Sequence, residues 1–285
     1  MVTILGRAKI NLTLDILGMR KDGFHEIATV MQSLSLSDTL TLSRQDAGIT
    51  LTVDTADLET DERNLAYRAA ALIMEEYGIK GGVHIDIVKR IPIAAGLAGG
   101  SGDAAAVLRG MRTLYSLEIS DDKLYELGAC LGSDIPFSLL GGTVFATGRG
   151  EVMKPLAELP VIPVVLAKPP VAVSTAWAYE TYDTQPSAVH PDHDSFLQAL
   201  QEQDILSCAR LCVNVLEPVT ERRHPVIGAY RARMRAGGAY CAMMSGSGPT
   251  VFGLCPDRMT AERIAEEFRR DTEAEVYVTQ TVGRY

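Results

Sequence analysis

Four glycines lie within seven residues, between Gly96 and Gly102, in the stretch RIPIAAGLAGGSGDAAAVLRGM (residues 90–111). Apolar residues then recur at helical spacing, which predicts a helix whose first turn is capped by Ser101 or Asp103. Free backbone N–H groups at a helix N-terminus form a site for phosphate when the loop before them carries no obstructing side chains. The spacing therefore predicts an anion cradle.

The same glycine loop admits two further interpretations from the sequence alone. Residues Gly100 to Ala105 form a degenerate GxGxxA dinucleotide fingerprint with Glu118 downstream, although the third glycine is missing and no strand leads straight into the turn. A Gly/Ala loop also packs a helix closely against a sheet. No Gly-Lys-Ser/Thr closes the loop, which excludes a Walker A site. A second small-residue loop, SGSGPT at 245–250, favours binding, because two phosphate-sized cradles suit a nucleotide and a second substrate.

The composition limits which ligands the chain can bind. The 285 residues carry a formal net charge of -9 and no dense Lys/Arg stripe, which argues against nucleic acid as a partner. Arg7, Lys9, Asn11 and Asp15 interrupt the apolar N-terminus, so we expect neither a signal peptide nor a membrane helix, and a cytoplasmic protein. Five cysteines without a CxxC pair predict free thiols.

Strand and helix patterns alternate without a regular βαβ rhythm, which predicts an α+β protein of two domains, 1–155 and 156–285. The boundary falls in a proline-rich run, residues 155–170. Helix 194–204 begins with a predicted capping box from Ser195 to Gln198. The predicted strands cover 39–43, 48–53, 83–91, a segment within 141–151, a segment within 155–170 and 274–282. The other predicted helices cover 61–78, 122–132 and 260–271.

Several segments together resemble one enzyme family. PIAAGLAGGSGDAAA (92–106) resembles the P-x-x-x-G-L-x-x-S-(S/G)-x-A motif of the kinases that act on galactose, homoserine, mevalonate and phosphomevalonate. The opening AKINLTLDILGMRKDGFHEIATVMQSL (8–34), GSDIPFSLLGG (132–142) and MMSGSGPTVFG (243–253) are most similar to a member that phosphorylates the 2-hydroxyl of a cytidylyl substrate. The resemblance implies a ribosomal-protein-S5-like N-terminal domain and a ferredoxin-like C-terminal domain.

The resemblance implies roles for the reacting groups. Asp134 matches the carboxylate that takes the proton from the substrate hydroxyl, and Lys9 matches its basic partner. Such a pair suits phosphoryl transfer, because a nearby ammonium keeps the carboxylate ionised and offsets phosphate charge. ATP with Mg²⁺ is the expected cofactor, and no metal ligand is assigned.

For the substrate, the resemblance implies that Phe24 and Tyr179 sandwich the cytosine, with His25 supplying polar contacts and Asn11 near the alcohol end. Asn11 lies two residues from Lys9, so on a strand both point to the same side. The second loop is expected to close the substrate cleft through Ser245, Gly246, Ser247 and Gly248.

For the nucleotide, the resemblance implies contacts from Asn64, from Lys89, and from the glycine loop together with the residues just before it. These are Asn64, Lys89, Pro92, Ala94, Ala95, Gly96, Leu97, Ala98, Gly99, Gly100, Ser101, Gly102 and Asp103. The chain departs from the family at Phe24, where Tyr is usual, at Ala98 and Gly102, where Gly and Ser are commoner, and at Pro170, where Gly is usual.

Two alternatives to this function are retained. One is another small-molecule kinase of the same family, and the other is a nucleotide-binding protein without turnover. Lys9 and Asp134 argue against the second, because binding alone needs no base. We expect a monomer or a weak homodimer, with no membrane partner.

Overall fold

The computed structural model describes residues 1–285 and contains two β-sheets. The larger sheet has seven strands, with the path β3-β4-β2-β1-β8, and β5 pairs with β2 and β6. Its strands are β1 (Val2–Met19), β2 (His25–Gln45), β3 (Gly48–Val53), β4 (Gly82–Val88), β5 (Thr143–Gly148), β6 (Val152–Pro155) and β8 (Val213–Asn214).

The smaller sheet is antiparallel and has the order β11-β7-β10-β9. Its strands are β7 (Pro163–Lys168), β9 (Cys241–Met244), β10 (Val251–Leu254) and β11 (Glu275–Gln280). The chain thus moves to the second sheet after β6, but β8 returns to pair in parallel with Thr13 and Leu14 of β1. The division into domains at residue 155 stays a prediction.

Ten helices cover the sheets, and none combines the length and the apolar character needed to cross a bilayer. They are α1 (Leu65–Glu76), α2 (Gly99–Tyr115), α3 (Asp121–Leu131), α4 (Ile135–Leu140), α5 (Thr175–Thr184), α6 (His193–Gln201), α7 (Ile205–Arg210), α8 (Glu217–Arg223), α9 (Val226–Ala236) and α10 (Arg258–Asp271). Helices and antiparallel strands in two sheets confirm the predicted α+β class.

Helix α2 lies almost against the backbone of β1. A Cβ atom added at Gly102 would lie 2.9 Å from the carbonyl oxygen of Arg7, and one added at Gly6 would lie 2.8 Å from the carbonyl carbon of Gly102. The buried face of α2, which includes Val107, Leu108 and Met111, joins the apolar core over the larger sheet. Gly102 therefore serves the close packing of a helix against a sheet.

Two predicted caps are wrong. Helix α2 begins at Gly99, after Ala98 in the left-handed conformation, so Ser101 and Asp103 lie inside the helix and no side chain caps it. Helix α6 begins at His193, where the Asp192 side chain accepts the N–H of Ser195, so Ser195 is the third helical residue and not the cap. In both cases the helix begins before the expected cap, because the left-handed Ala98 leads into α2 and the Asp192 side chain caps α6.

A buried ion cluster ties α2 to the larger sheet. The Lys89 ammonium donates to Asp103 Oδ2 at 2.7 Å and to Asp38 Oδ2 at 2.5 Å. Asp38 is otherwise fully bonded, because its Oδ1 accepts the N–H groups of Arg90 and Ile91. Asp103 Oδ1 has no partner, and burial raises the pKa of Asp103 to about 7 although Lys89 opposes the shift. Despite burial, the two carboxylates raise the pKa of Lys89.

We expect Lys89→Met to lower the free energy of unfolding by about 3–5 kcal/mol, because removal of one partner leaves buried carboxylates uncompensated. Lys123→Met is the matched control, since Lys123 pairs with Glu76 at the surface at 2.9 Å and should lose less than about 1 kcal/mol. Urea denaturation of both variants measures the difference. Equal losses would contradict a structural role for the Lys89 cluster.

Candidate active site

A cleft of about 700 Å³ lies where β1, the glycine loop, the 245–248 loop, the start of α4 and helix α5 meet. It brings together residues that lie far apart in the sequence. Eleven of the predicted site residues line it: Lys9, Asn11, Phe24, His25, Gly96, Ala98, Ser101, Asp134, Tyr179, Gly246 and Ser247.

Lys9 and Asn11 project from the middle of β1 into the cleft. The Lys9 ammonium donates to Asn11 Oδ1 at 2.7 Å, and Asn11 Nδ2 donates to Thr29 Oγ1 at 2.9 Å. Thr29 Oγ1 in turn donates to the carbonyl oxygen of Thr13 at 2.6 Å. Lys9 and Asn11 are only 5% and 4% exposed, so this chain of bonds holds the ammonium in one position.

Asp134 faces Lys9 from the start of α4. Its Oδ2 lies 3.6 Å from Lys9 Nζ, which is an ion pair without a short hydrogen bond. Asp134 occupies the N-cap position, but its side chain bonds no backbone N–H of the helix. Because the Asp134 side chain is 38% exposed and accepts no N–H of the helix, its carboxylate is available to a group that enters the cleft.

The 245–248 loop closes over Lys9 and Asn11. A Cβ atom on Gly246 would lie 3.4 Å from Asn11 Oδ1, and Ser245 Oγ donates to the carbonyl oxygen of Gly96 at 2.9 Å. Asn214 Nδ2 donates to the carbonyl oxygens of Met244 and Gly246. These bonds fix the second loop against both β1 and the glycine loop.

Glu217 supports the strand that leads into this loop. Its Oε2 accepts the Met244 N–H at 2.7 Å, and its Oε1 pairs with Arg231 at 2.9 Å. Burial raises the pKa of Glu217 to about 7, while Arg231 and the Met244 bond oppose the shift. The loop is thus anchored by a buried carboxyl group outside the cleft.

The glycine loop contains two left-handed alanines and ends in an uncapped helix. Ala94 and Ala98 have φ values of 52° and 55°, in a region that residues other than glycine rarely occupy. Glycine would adopt the conformation of Ala98 without strain. A strained backbone conformation of this kind persists only where the packing of the surrounding residues holds it in place. The first N–H groups of α2 have no carboxylate in the first turn to neutralise them, so they are available to an anion.

The aromatic residues predicted for the base line the same cleft. The rings of Tyr179 and His25 lie 4.9 Å apart, and His25 Nε2 bonds Asp183 Oδ1 at 2.8 Å. Phe24 is 52% exposed, and the Arg149 guanidinium lies 5.0 Å from its ring. Phe24 and Tyr179 both line the cleft, and their sandwich of a base stays a prediction.

Twelve predicted residues do not line the cleft. Pro92, Ala95 and Leu97 are buried, and the Leu97 carbonyl accepts the Lys9 N–H at 3.1 Å. The Asn64 side chain caps α1 through a bond from the Ala66 N–H. The nucleotide contacts predicted for ten of the twelve, and the substrate contacts predicted for Ser245 and Gly248, stay predictions. The twelve are Asn64, Lys89, Pro92, Ala94, Ala95, Leu97, Gly99, Gly100, Gly102, Asp103, Ser245 and Gly248.

Several residues that line the cleft were not anticipated from the sequence. Arg149 is the main one, because it brings a second cation to the cleft from the turn after β5. The only signal for it was its position in the turn ATGRGE between two predicted elements. Ser133 precedes Asp134, and Thr175 Oγ1 bonds Ser247 Oγ at 3.0 Å.

Two family matches fall one in each half of the chain and together cover a little over half of it. The family described as GHMP kinases N terminal domain matches residues 64–142, and GHMP kinases C terminal matches residues 195–274. These two matches, together with the two-sheet fold and a cleft to which both matched regions contribute residues, define a GHMP-type small-molecule kinase.

Relatives that match over nearly the whole chain point to one kind of kinase within this class. A 4-diphosphocytidyl-2-C-methyl-D-erythritol kinase of Synechococcus sp. (strain JA-2-3B'a(2-13)) is 47% identical over 98% of this chain and 93% of the relative. One of Acetivibrio thermocellus is 41% identical over 99% of both chains. A crystal structure of 4-(cytidine 5'-diphospho)-2C-methyl-D-erythritol kinase superposes with a TM-score of 0.85 at 37% identity, covering 99% of this chain and 100% of that one.

The chain belongs to the 4-diphosphocytidyl-2-C-methyl-D-erythritol kinase family within the GHMP kinases, which confirms the resemblance seen in the sequence. A mevalonate kinase of L. major in complex with R-mevalonate shares the fold, with a TM-score of 0.77 at 16% identity over 99% of this chain and 96% of that one.

We expect Gly96→Ala to disrupt the contact between the two loops. Gly96 has a φ of +73°, and a Cβ atom there would lie 2.4 Å from the Ser245 carbonyl oxygen and 3.0 Å from that of Gly248. Gly78 has a similar φ of +59° with open space around it. Gly78→Ala should therefore cost only the left-handed strain, about 1–2 kcal/mol, and Gly96→Ala about 1–3 kcal/mol more. Chemical denaturation compares the two, and equal costs would contradict the contact.

Proposed function

We propose that this chain transfers the γ-phosphoryl group of ATP to the 2-hydroxyl of 4-diphosphocytidyl-2-C-methyl-D-erythritol. The observation that carries the proposal is the Lys9–Asp134 pair, whose atoms lie 3.6 Å apart at a cleft between two small-residue loops. In the reaction, the substrate oxygen forms a bond to the γ-phosphorus while the bond from that phosphorus to ADP breaks.

Asp134 would accept the proton of the attacking hydroxyl. Its carboxylate is free of capping bonds and lies at the cleft, as a general base must. The Lys9 ammonium, 3.6 Å from that carboxylate, places positive charge where the phosphoryl group passes. Asn11 acts as the positioning residue, because its amide oxygen holds Lys9 and its amide nitrogen is held by Thr29.

The phosphates of ATP would bind at the N-terminus of α2. Gly96, Ala98 and Ser101 line the cleft there, and the first N–H groups of this 17-residue helix point out of its start. The net charge of -9 makes this local arrangement necessary, since the protein as a whole repels anions.

Magnesium would arrive with ATP and supply charge neutralisation for the phosphates. No three carboxylate, imidazole or thiol side chains cluster as a preformed metal site. Mg²⁺ bound to nucleotide usually takes only one or two protein oxygens. The Ser101 hydroxyl is an oxygen donor of the cleft that fits this requirement.

The cytidylyl group would occupy the end of the cleft lined by Phe24, His25 and Tyr179. Burial and the nearby Asp134 carboxylate raise the pKa of the Tyr179 phenol, so that it stays neutral beside the substrate. Stacking on Phe24 tolerates any base, whereas polar contacts from His25 would select cytosine. We further propose that the enzyme works in the cytoplasm, which supplies ATP, and that it is a monomer or a weak homodimer.

Release of ADP by the purified protein with ATP and Mg²⁺ tests the assignment. We expect turnover with 4-diphosphocytidyl-2-C-methyl-D-erythritol and at least about 100-fold lower kcat/KM with galactose, homoserine or mevalonate, because these lack a base for the aromatic end of the cleft. Preferred turnover of one of the other alcohols would overturn the substrate assignment. Nucleotide binding without turnover of any of them would overturn the kinase assignment.

A further inference from the structure

A second cavity, of about 430 Å³, shares no lining residue with the active-site cleft. It lies between α2, α3, the end of α4 and the last two residues of the chain. Three guanidinium groups line it, those of Arg109, Arg112 and Arg284. Such a concentration of cations in one cavity contrasts with the overall negative charge of the protein.

The cations around this cavity outnumber their carboxylate partners. Arg112 pairs with Asp121 at 2.6 Å, and Arg284 pairs with Glu158 at 2.9 Å. Arg109 pairs with no carboxylate, because its Nη2 donates to the Leu5 carbonyl oxygen and its Nη1 is buried without a partner.

Arg7 adds a fourth guanidinium, also without a carboxylate. Its Nη1 donates to the carbonyl oxygen of Gly283, and its carbon Cζ lies 4.1 Å from the centre of the Tyr285 ring. Arg109 Cζ lies 3.4 Å from the same ring centre. Burial lowers the pKa of Arg109, and the nearby Arg7 and Arg112 charges act in the same direction. Both guanidiniums therefore contact the Tyr285 ring, and their only other partners are carbonyl oxygens.

Apart from the three arginines and Asp121, which is the carboxylate partner of Arg112, the residues of the cavity wall are apolar or aromatic. Leu124 and Tyr125 of α3 and Leu139 and Leu140 of α4 line it together with the Tyr285 ring. A cavity of this volume is several times larger than an inorganic phosphate ion needs. The wall thus offers guanidiniums for a phosphate group, which they bind through paired N–H donors, and an apolar surface for an attached organic group.

We propose that this cavity is a second ligand site, which binds a small organic phosphate with its phosphoryl oxygens on the arginines and its apolar part on the leucines and tyrosines. The site is independent of the proposed kinase reaction and of its residues. Two of its arginines project from α2, the helix whose N-terminus lines the active-site cleft.

Titration of protein carrying ¹³C-methyl leucine with phenyl phosphate tests the proposal. We expect saturable shifts of the Leu124, Leu139 and Leu140 methyl signals, at a dissociation constant of about 1 mM or below. Leu14 lines the active-site cleft, so its signal separately reports any binding there. Inorganic phosphate should bind at least about tenfold more weakly, because it leaves the apolar wall uncovered.

Arg112→Gln should weaken phenyl phosphate binding about tenfold through loss of a charged hydrogen bond, with the spectrum otherwise that of a folded protein. Arg258→Gln is the matched control, because Arg258 also pairs with a surface carboxylate, Glu262, but lies on a helix that does not line the cavity. The Arg258→Gln variant should bind phenyl phosphate as tightly as the unmodified chain does. Absence of shifts at the three leucines, equal affinity for inorganic phosphate, or unchanged affinity in Arg112→Gln would each overturn the proposal.

Discussion

The structure of the cleft depends on the burial of one ammonium group, that of Lys9. A charge that is only 5% exposed is costly unless polar partners surround it. Asn11 compensates it from the same strand, and Asp134 does so from the start of α4, far along the chain. The 245–248 loop, which follows β9 of the smaller sheet, packs close to this group, so both sheets contribute to its surroundings.

Close backbone approach makes this convergence achievable. Gly102 and Gly6 let α2 lie against β1, and the Leu97 carbonyl accepts the N–H of Lys9 itself. Gly96 in turn lets the glycine loop contact Ser245. The same small residues thus serve packing and site geometry, so close packing and anion binding are complementary roles of the glycine loop.

Local patterns in the sequence predicted much of the site, and the missing parts depend on tertiary contacts. Period-two spacing placed Lys9 and Asn11 on one side of a strand, and the glycine run predicted a helix start. The sequence could not indicate that Lys89 is engaged by Asp38 and Asp103, because those carboxylates lie 51 and 14 residues away. Arg149 was missed for the same reason, since only the folded turn brings it to Phe24.

The most direct test of the central claim is the rate of phosphoryl transfer in a single turnover, measured by rapid quench with Asp134→Asn. The account predicts a rate about 10²–10⁴-fold lower, with substrate affinity changed by less than about threefold, because the variant keeps the shape of the side chain but cannot accept the proton. Asp86→Asn, which alters an exposed carboxylate bonded only to Thr52, should transfer at the normal rate. A rate in Asp134→Asn close to that of the unmodified chain would contradict the account.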